Sequence, residues 1–396
     1  MTSNLEQARE KFFEGVEHFE AGRLQDARAS FETALALAPD RASVLGNLGI
    51  TLFHLSELEK AAPMLQRAVG ADPDYAEAWT CLAYAQEGLR QWAAAVAAFE
   101  RAIALSDVPA ALWFRKGQCL LQLQRLPQAL AAFESASDAA PGFADAWTAR
   151  GGLLRDLGRL DEAATCYEKA LECGGDRTLN EYYLAAVKGG GTTPAAPRAY
   201  VEALFDGYAE HFQQHLVNDL RYQGHERLLH PLIESNRWFD AGLDLGCGTG
   251  LCGQLLASRV GALDGVDLSQ AMLDQARRLN VYRNLHHVDI AELLHSFDDR
   301  VDLVIAADVF IYVADLSAIF RDVRRILNSG GCFAFTVEIP TATQQVQLLP
   351  SLRYAHAESY IRTLADAAGF RVDRSLRAPL RVHQSQMLDG LYFHLS

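Results

Sequence analysis

A chain of 396 residues, 50% of them hydrophobic and 22% charged, is long enough for two or three domains and too apolar to remain disordered. Its net charge of −14 repels a phosphate backbone, which sets nucleic acid aside and leaves a basic peptide or a small molecule as the easier partner. No apolar run reaches the ~18 residues needed to span a bilayer, and residues 1–9 lack an apolar signal core, so a cytoplasmic protein with no membrane contact is expected. The seven cysteines are odd in number and form no C-x-x-C pair, which reads as reduced thiols and no metal site.

The first half repeats with a period of 34 residues. Ala27, Ala61, Ala95, Ala129 and Ala163 keep that spacing, as do Ala34, Ala68, Ala102, Ala136 and Ala170. Phe31, Leu65, Phe99, Phe133 and Tyr167 stand between them, and Gly15, Gly49, Gly117 and Gly151 share one register with Ala83 in the remaining slot. Trp79, Trp113 and Trp147 recur likewise, and Pro39, Pro73 and Pro141 close three units. Small residues suit the crossing of two antiparallel helices, a large apolar residue fills the space beside them, and proline stops the second helix. One such pair cannot bury its own apolar face, so neighbours must stack.

These residues resemble tetratricopeptide repeats, five units over residues 8–177, with Asp107 and Gly175 in two of the proline slots. The resemblance implies a concave groove for an extended peptide. Its lining would include Phe12, Val16, Phe19, Ile50, Phe53, Tyr84, Phe114, Gln118, Leu121 and Arg155, unless these pack the array internally. The repeated Lys and Asn that clamp a peptide carboxylate in some relatives are missing, which disfavours a receptor for C-terminal tails.

Residues 178–196 read as a capping helix followed by a breaker cluster, Gly189-Gly190-Gly191-Thr192-Thr193-Pro194, where the domain hinge is expected. Helical period returns over residues 197–237, with Tyr200, Leu204, Tyr208, Phe212 and Leu216 on one stripe. From Trp238 to the end, short apolar strands alternate with helices, at 241–247, 263–268, 285–290, 301–309 and 331–338, then 371–381 and 388–394. That alternation means βαβ units and a mostly parallel sheet.

The first of these strands ends in Leu243-Asp244-Leu245-Gly246-Cys247-Gly248-Thr249-Gly250. Glycines let a backbone pass under a ligand, and a helix N-terminus beyond them offers free N–H groups to an anion. The dinucleotide fingerprint would need glycine at 251, where Leu251 stands, so NAD and FAD are disfavoured. The second strand ends in Gly265-Val266-Asp267, whose carboxylate can accept ribose hydroxyls, and the third in His287-Val288-Asp289-Ile290.

Residues 205–396 resemble class I S-adenosylmethionine-dependent methyltransferases. The whole chain is then an α plus α/β protein: an all-helical solenoid followed by a doubly wound, Rossmann-like domain with a mostly parallel seven-stranded sheet. The resemblance implies S-adenosylmethionine as methyl donor. Its binding set would be Tyr208 from a lid segment, Asp244, Gly246, Cys247 and Gly248, Asp267, Leu268 and Met272, Asp289 and Ile290, with Asp308 and Val309 beside the methyl.

Methyl transfer requires alignment of the acceptor at roughly 3–3.5 Å, and a base only where the acceptor must lose a proton. Tyr312, Glu338 and His356 are the candidates near the methyl. The Asn-Pro-Pro-aromatic signature of amide and adenine methylation is absent after the fourth strand, as is the paired-glutamate loop of arginine methylation. The loop over 339–352 is short, so acceptor selection would fall to the lid and the repeats, which favours a peptide or protein acceptor. A small metabolite or glycan precursor, with the repeats as a docking module, is the rival, and a non-catalytic scaffold the third reading.

Overall fold

The computed structural model describes residues 4–107, 109–189, 193–206, 222–383 and 386–396. They form two compact units, Met1–Asp176 and Arg177–Ser396.

The first unit is a run of paired antiparallel helices: α1 (Asn4–Glu20), α2 (Leu24–Leu37), α3 (Ala42–His54), α4 (Leu58–Ala71), α5 (Ala76–Gly88), α6 (Trp92–Ala104), α7 (Ala110–Gln122), α8 (Leu126–Ala139), α9 (Ala144–Asp156) and α10 (Leu160–Glu172). A Cβ built on Gly15 or Gly117 would lie 2.6 Å from the ring of Phe31 or Phe133, which is why the first helix of the pair needs no side chain there. Phe31, Leu65, Phe99, Phe133 and Tyr167 are all fully buried. Trp79 and Trp147 donate from Nε1 to the carbonyls of Pro73 and Pro141 at 2.9 Å, tying each repeat's first helix to the end of the preceding one.

The turn within each repeat carries a residue with positive φ at the same 34-residue spacing: Gly22, Ser56, Arg90, Gln124 and Gly158. The residue type varies, so the pattern is invisible in composition. The backbone period is as strict as that of the alanines.

The second unit holds nine strands among the described residues: β1 (Phe239–Leu245), β2 (Val260–Asp267), β3 (Asn284–His287), β4 (Val301–Ala306), β5 (Leu327–Glu338), β6 (Val346–Leu348), β7 (Tyr354–His356), β8 (Val372–His383) and β9 (Gln386–Leu395). They run in the order β3-β2-β1-β4-β5, all parallel, and β9 continues the sheet antiparallel to β5 with β8 outside it. The seven expected strands are present. The two additional ones, β6 and β7, form a small antiparallel hairpin off the end of β5, where a plain loop was expected. Three-residue strands are too short to display a period of two, which is why the sequence did not reveal them.

Alternate residues divide between the two faces of the sheet. Leu243, Leu245, Val304 and Ala306 face a core with Leu294, Phe320 and Ile361, while Leu303 and Ile305 face Leu228, Leu232 and Leu256 on the other side. Helices therefore cover both faces, the doubly wound arrangement. The chain reverses at β1, and the crevice at the C-terminal ends of β1 and β4 is the natural ligand site in such sheets.

The expected hinge at 189–194 is not where the two units separate. Helix α11 (Arg177–Lys188) belongs to the second unit: Tyr182 is fully buried, packs with Leu348, Leu352 and Tyr354, and donates to the Leu352 carbonyl at 2.6 Å. Thr193 and Tyr354 share hydrogen bonds, Ala314 N–H donates to Pro194 O at 2.9 Å, and Ala195 bridges Val313. Breaker residues showed where a helix stops, but burial decides which core a helix joins. Removing the Tyr182 ring should cost about 3 kcal/mol, as for other buried aromatic-to-alanine changes. Denaturant unfolding of an Arg177–Ser396 fragment and its Tyr182→Ala form measures this, and a fragment starting at Thr193 should melt below the one starting at Arg177.

Candidate functional site

The turn after β1 reverses direction at Gly246 (φ +63°) and Gly248 (φ +54°) before a short helix, Leu251–Leu256. The two glycines serve different ends. A Cβ on Gly246 would stand 2.5 Å from Val309, so the ends of β1 and β4 touch. A Cβ on Gly248 would meet nothing within 4 Å, so the space beside it is open.

Two carboxylates brace the turn. Asp267, at the end of β2, accepts from Gly248 N–H and Ser269 N–H, both at 2.9 Å. Burial pushes its carboxyl up, against these amide bonds. Asp244 lies behind the turn, 1% exposed, and accepts from the Tyr282 hydroxyl at 2.7 Å. Burial pushes its carboxyl up to about 7, opposed by the Tyr282 bond and reinforced by the charge of Asp267. The Tyr282 ring in turn packs against Gly250 and Gly253.

Ser269 caps the helix Gln270–Arg278, accepting from Met272 N–H, and donates to Asp206 at 2.5 Å. That bond fixes the end of α12 (Arg198–Asp206) over the β2 turn. Asp289 caps the helix Ile290–Ser296 by accepting from Ala291 N–H at 2.7 Å.

Beyond β4, Asp308 holds a positive φ of 63° that a non-glycine residue rarely adopts. Its N–H donates to Thr336 Oγ1 at 2.8 Å. Arg381 on β8, 1% exposed, donates to Asp308 and to Glu338, the last residue of β5. Arg353 stands 4.0 Å from Glu338 and lies against the Tyr312 hydroxyl. Burial raises the Tyr312 phenol, with Arg353 opposing.

These elements enclose a cavity of about 640 Å³. Gly246, Cys247, Gly248, Asp267, Leu268, Met272, Asp289, Ile290, Asp308 and Val309 all line it, as does Tyr312. Asp244 does not; it supports the turn from behind. Tyr208 lies outside the described residues. Glu338 also stands off the wall, held by Arg381.

His356 does not reach the cavity. It is fully buried, its Nε2 pairs with the Ala314 carbonyl at 3.1 Å, and burial lowers its pKa to about 4. Its expected loop is strand β7, which turns the ring inward as a neutral packing group.

The sequence missed several residues of the wall. Phe205 meets Tyr312 edge-on at 5.7 Å, and Tyr222 and His225 stack at 5.3 Å. Arg353 and Arg381 also line it. The only signal of Arg381 was a charged residue inside a largely apolar strand, which a one-sided sheet also produces, while Arg353 opens the segment 353–360 whose His356 was the residue expected at the pocket.

A family profile for tetratricopeptide repeats matches residues 14–76, 82–142 and 122–177, and a profile for a methyltransferase domain matches residues 243–335. The chain carries tetratricopeptide repeats followed by a methyltransferase domain. Similar curated proteins include the malonyl-[acyl-carrier protein] O-methyltransferases of Legionella pneumophila, 33% identical over 30% of this chain and 44% of that protein, and of Enterobacter lignolyticus, 30% identical over 41% and 60%. A sarcosine/dimethylglycine N-methyltransferase of Halorhodospira halochloris is 34% identical over 24% of this chain and 36% of its own length. The chain thus spans about half the length of the first two relatives. Among solved structures, the MamA protein is 27% identical over 42% of this chain and 92% of its own, with a TM-score of 0.40. Among the described residues of the methyltransferase unit and the repeats, no helix is long and apolar enough to cross a membrane, and no group of three or more His, Cys, Asp or Glu could hold a metal.

Two consequences follow for the methyltransferase domain. The expected seat of S-adenosylmethionine at this turn is tested by Gly248→Asp, which should abolish its binding, and by Asp267→Ala, which should weaken it by about 1–3 kcal/mol, the worth of hydrogen bonds to a charged group. Calorimetric titration with S-adenosylmethionine reads both, and wild-type affinity in both would refute the assignment. Asp244 has a folded-state pKa above its unfolded value, so the folded state holds the proton longer and stability falls as pH rises from about 4 to about 7. The melting temperature of Asp244→Asn minus that of wild type should therefore grow between pH 5 and pH 8.

Proposed function

We propose that the protein transfers the methyl group of S-adenosylmethionine to an acceptor carried on a peptide or protein that the repeats recruit. The observation that carries the first part is the cavity at the ends of β1, β2 and β4, with open space at Gly248 and carboxylates at Asp267 and Asp289. The residues fit the donor chemically. Thr249 Oγ1, buried without a partner among the described residues, suits its carboxylate. Asp267 and Asp289 suit hydroxyl and amino donors, and Val309 offers an apolar surface. When bound, the donor supplies a methyl already activated by positive sulfur. The protein's own part is to exclude water and to hold the acceptor in line.

The repeats support recruitment. Phe53 and Tyr84 lie 6.4 Å apart as neighbouring half-buried rings on successive first helices, and Arg115 stacks over Tyr84. Aromatic rings and arginine at a surface are the anchors that peptides favour. The malonyl-[acyl-carrier protein] enzymes act, by their name, on a group carried by a protein, which agrees with this reading. Seven free cysteines, six of them buried, suit the cytoplasm.

Equilibrium binding of S-adenosylmethionine tests the first part. Methyl-³H labelling of a cell extract, separated into macromolecular and small-molecule fractions, tests the second. Label is expected in the macromolecular fraction with the full chain, and it should fall by about tenfold or more with an Arg177–Ser396 fragment, because recruitment raises the local acceptor concentration toward millimolar. Equal labelling by the fragment, or label confined to small molecules, would refute recruitment and leave methyl transfer intact.

A further inference from the structure

We infer that the acceptor is a carboxylate and that the product is a methyl ester, an inference that rests on the methyl-transfer reading above and names its substrate class. The geometry that points to it is the end of the cavity opposite Asp267 and Asp289, on the β4, β5 and β8 side of β1. Four charged groups meet there. Arg381 is charge-paired: it is 1% exposed and donates from its two terminal nitrogens to Asp308 and Glu338. Arg353 is not. Its nearest carboxylate, Glu338, stands 4.0 Å away and is already engaged by Arg381, while Arg353 itself is 24% exposed and lines the cavity beside Tyr312.

A guanidinium enclosed in a protein wall without a close carboxylate is costly, and its planar fork matches an incoming carboxylate in bidentate fashion. Donors without partners accumulate in the same wall: Tyr222 Oη and Arg381 Nε are buried with no hydrogen-bond partner among the described residues. Asp308 Oδ1 is the carboxylate oxygen left free there, and it suits a cation.

The charges then balance. Asp308 and Glu338 cancel Arg353 and Arg381, so the sulfonium of a bound methyl donor leaves this end with a net positive charge that a carboxylate neutralises. An ammonium acceptor would add to the positive charge. A hydroxyl would need a base, and His356, the histidine expected for that part, is walled off. A carboxylate arrives already deprotonated. Its oxygen lone pair forms the new O–CH₃ bond while the C–S bond breaks and returns its electron pair to sulfur. The sulfonium becomes a neutral thioether, the carboxylate a neutral ester, and no proton moves.

The test uses the full chain with methyl-³H S-adenosylmethionine and a cell extract, followed by alkali. A methyl ester releases its label as volatile methanol, whereas methyl ethers, methylamines and C-methyl products keep it. Most of the transferred label is expected to become volatile. Arg353→Gln should raise KM for the labelled acceptor by about tenfold or more, the usual loss of a charge-assisted hydrogen-bond pair, with kcat and donor affinity near wild type. Arg353→Lys should recover part of that loss. Alkali-stable label overturns the inference and leaves methyl transfer standing, and so does a Gln variant with wild-type KM, whereas a protein that binds the donor yet labels nothing overturns both. A protein that fails to bind S-adenosylmethionine overturns the underlying reading instead.

Discussion

The candidate site depends on one carboxylate. Asp267 ends β2 and accepts the N–H groups of Gly248 and Ser269, so it joins the turn after β1 to the turn after β2. With that brace in place, the turn after β1 keeps its left-handed glycines and the helix after β2 can begin at Ser269. Ser269 then reaches Asp206, and the strap over the cavity is fixed by the same short chain of bonds. A carboxylate is suited to this because it accepts from several donors at once, whereas an amide at the same place would bring donors of its own.

The opposite end of the cavity is organised by a buried ion cluster. Removing Arg381, Asp308 and Glu338 from water is expensive, and such clusters are weak grounds for stability. Their value here is positional. Arg381 on β8 ties the turn after β4 to the end of β5, so the antiparallel edge of the sheet is held against the parallel part where the acceptor would sit. The positive φ of Asp308 is maintained by that pairing together with the Thr336 hydroxyl. Backbone strain of this kind persists only where the surroundings enforce it, and it clusters at functional positions.

The same physical devices recur in the repeats with a different purpose. Gly15 and Gly117 are required by the rings that lie against them, so their identity repeats in the sequence. The turn positions at Ser56, Arg90 and Gln124 hold the left-handed conformation without glycine, because the flanking helices impose it. Sequence periodicity records steric exclusion well. It records imposed backbone conformation poorly, since any residue can be forced to bear a modest strain.

The sequence by itself determined the repeat unit, the positions of the parallel strands along the chain and the glycine turn. Each is local: a spacing of 34 residues, an alternation of apolar strands with helices, and a motif of eight neighbours are all read within one stretch of chain. Ten of the twelve residues named for the donor line one cavity because strand ends in a parallel sheet converge at the point where its order reverses. Tertiary structure decided the rest. It placed α11 with the second unit, folded 346–356 into a hairpin, turned His356 inward and brought Arg353 and Arg381 to the wall from the far end of the chain. Most of those outcomes depend on which surfaces bury each other far apart in the sequence, from the His356 to Ala314 pair, 42 residues apart, to the Tyr182 to Leu352 bond, 170 apart, and no local pattern encodes such pairings.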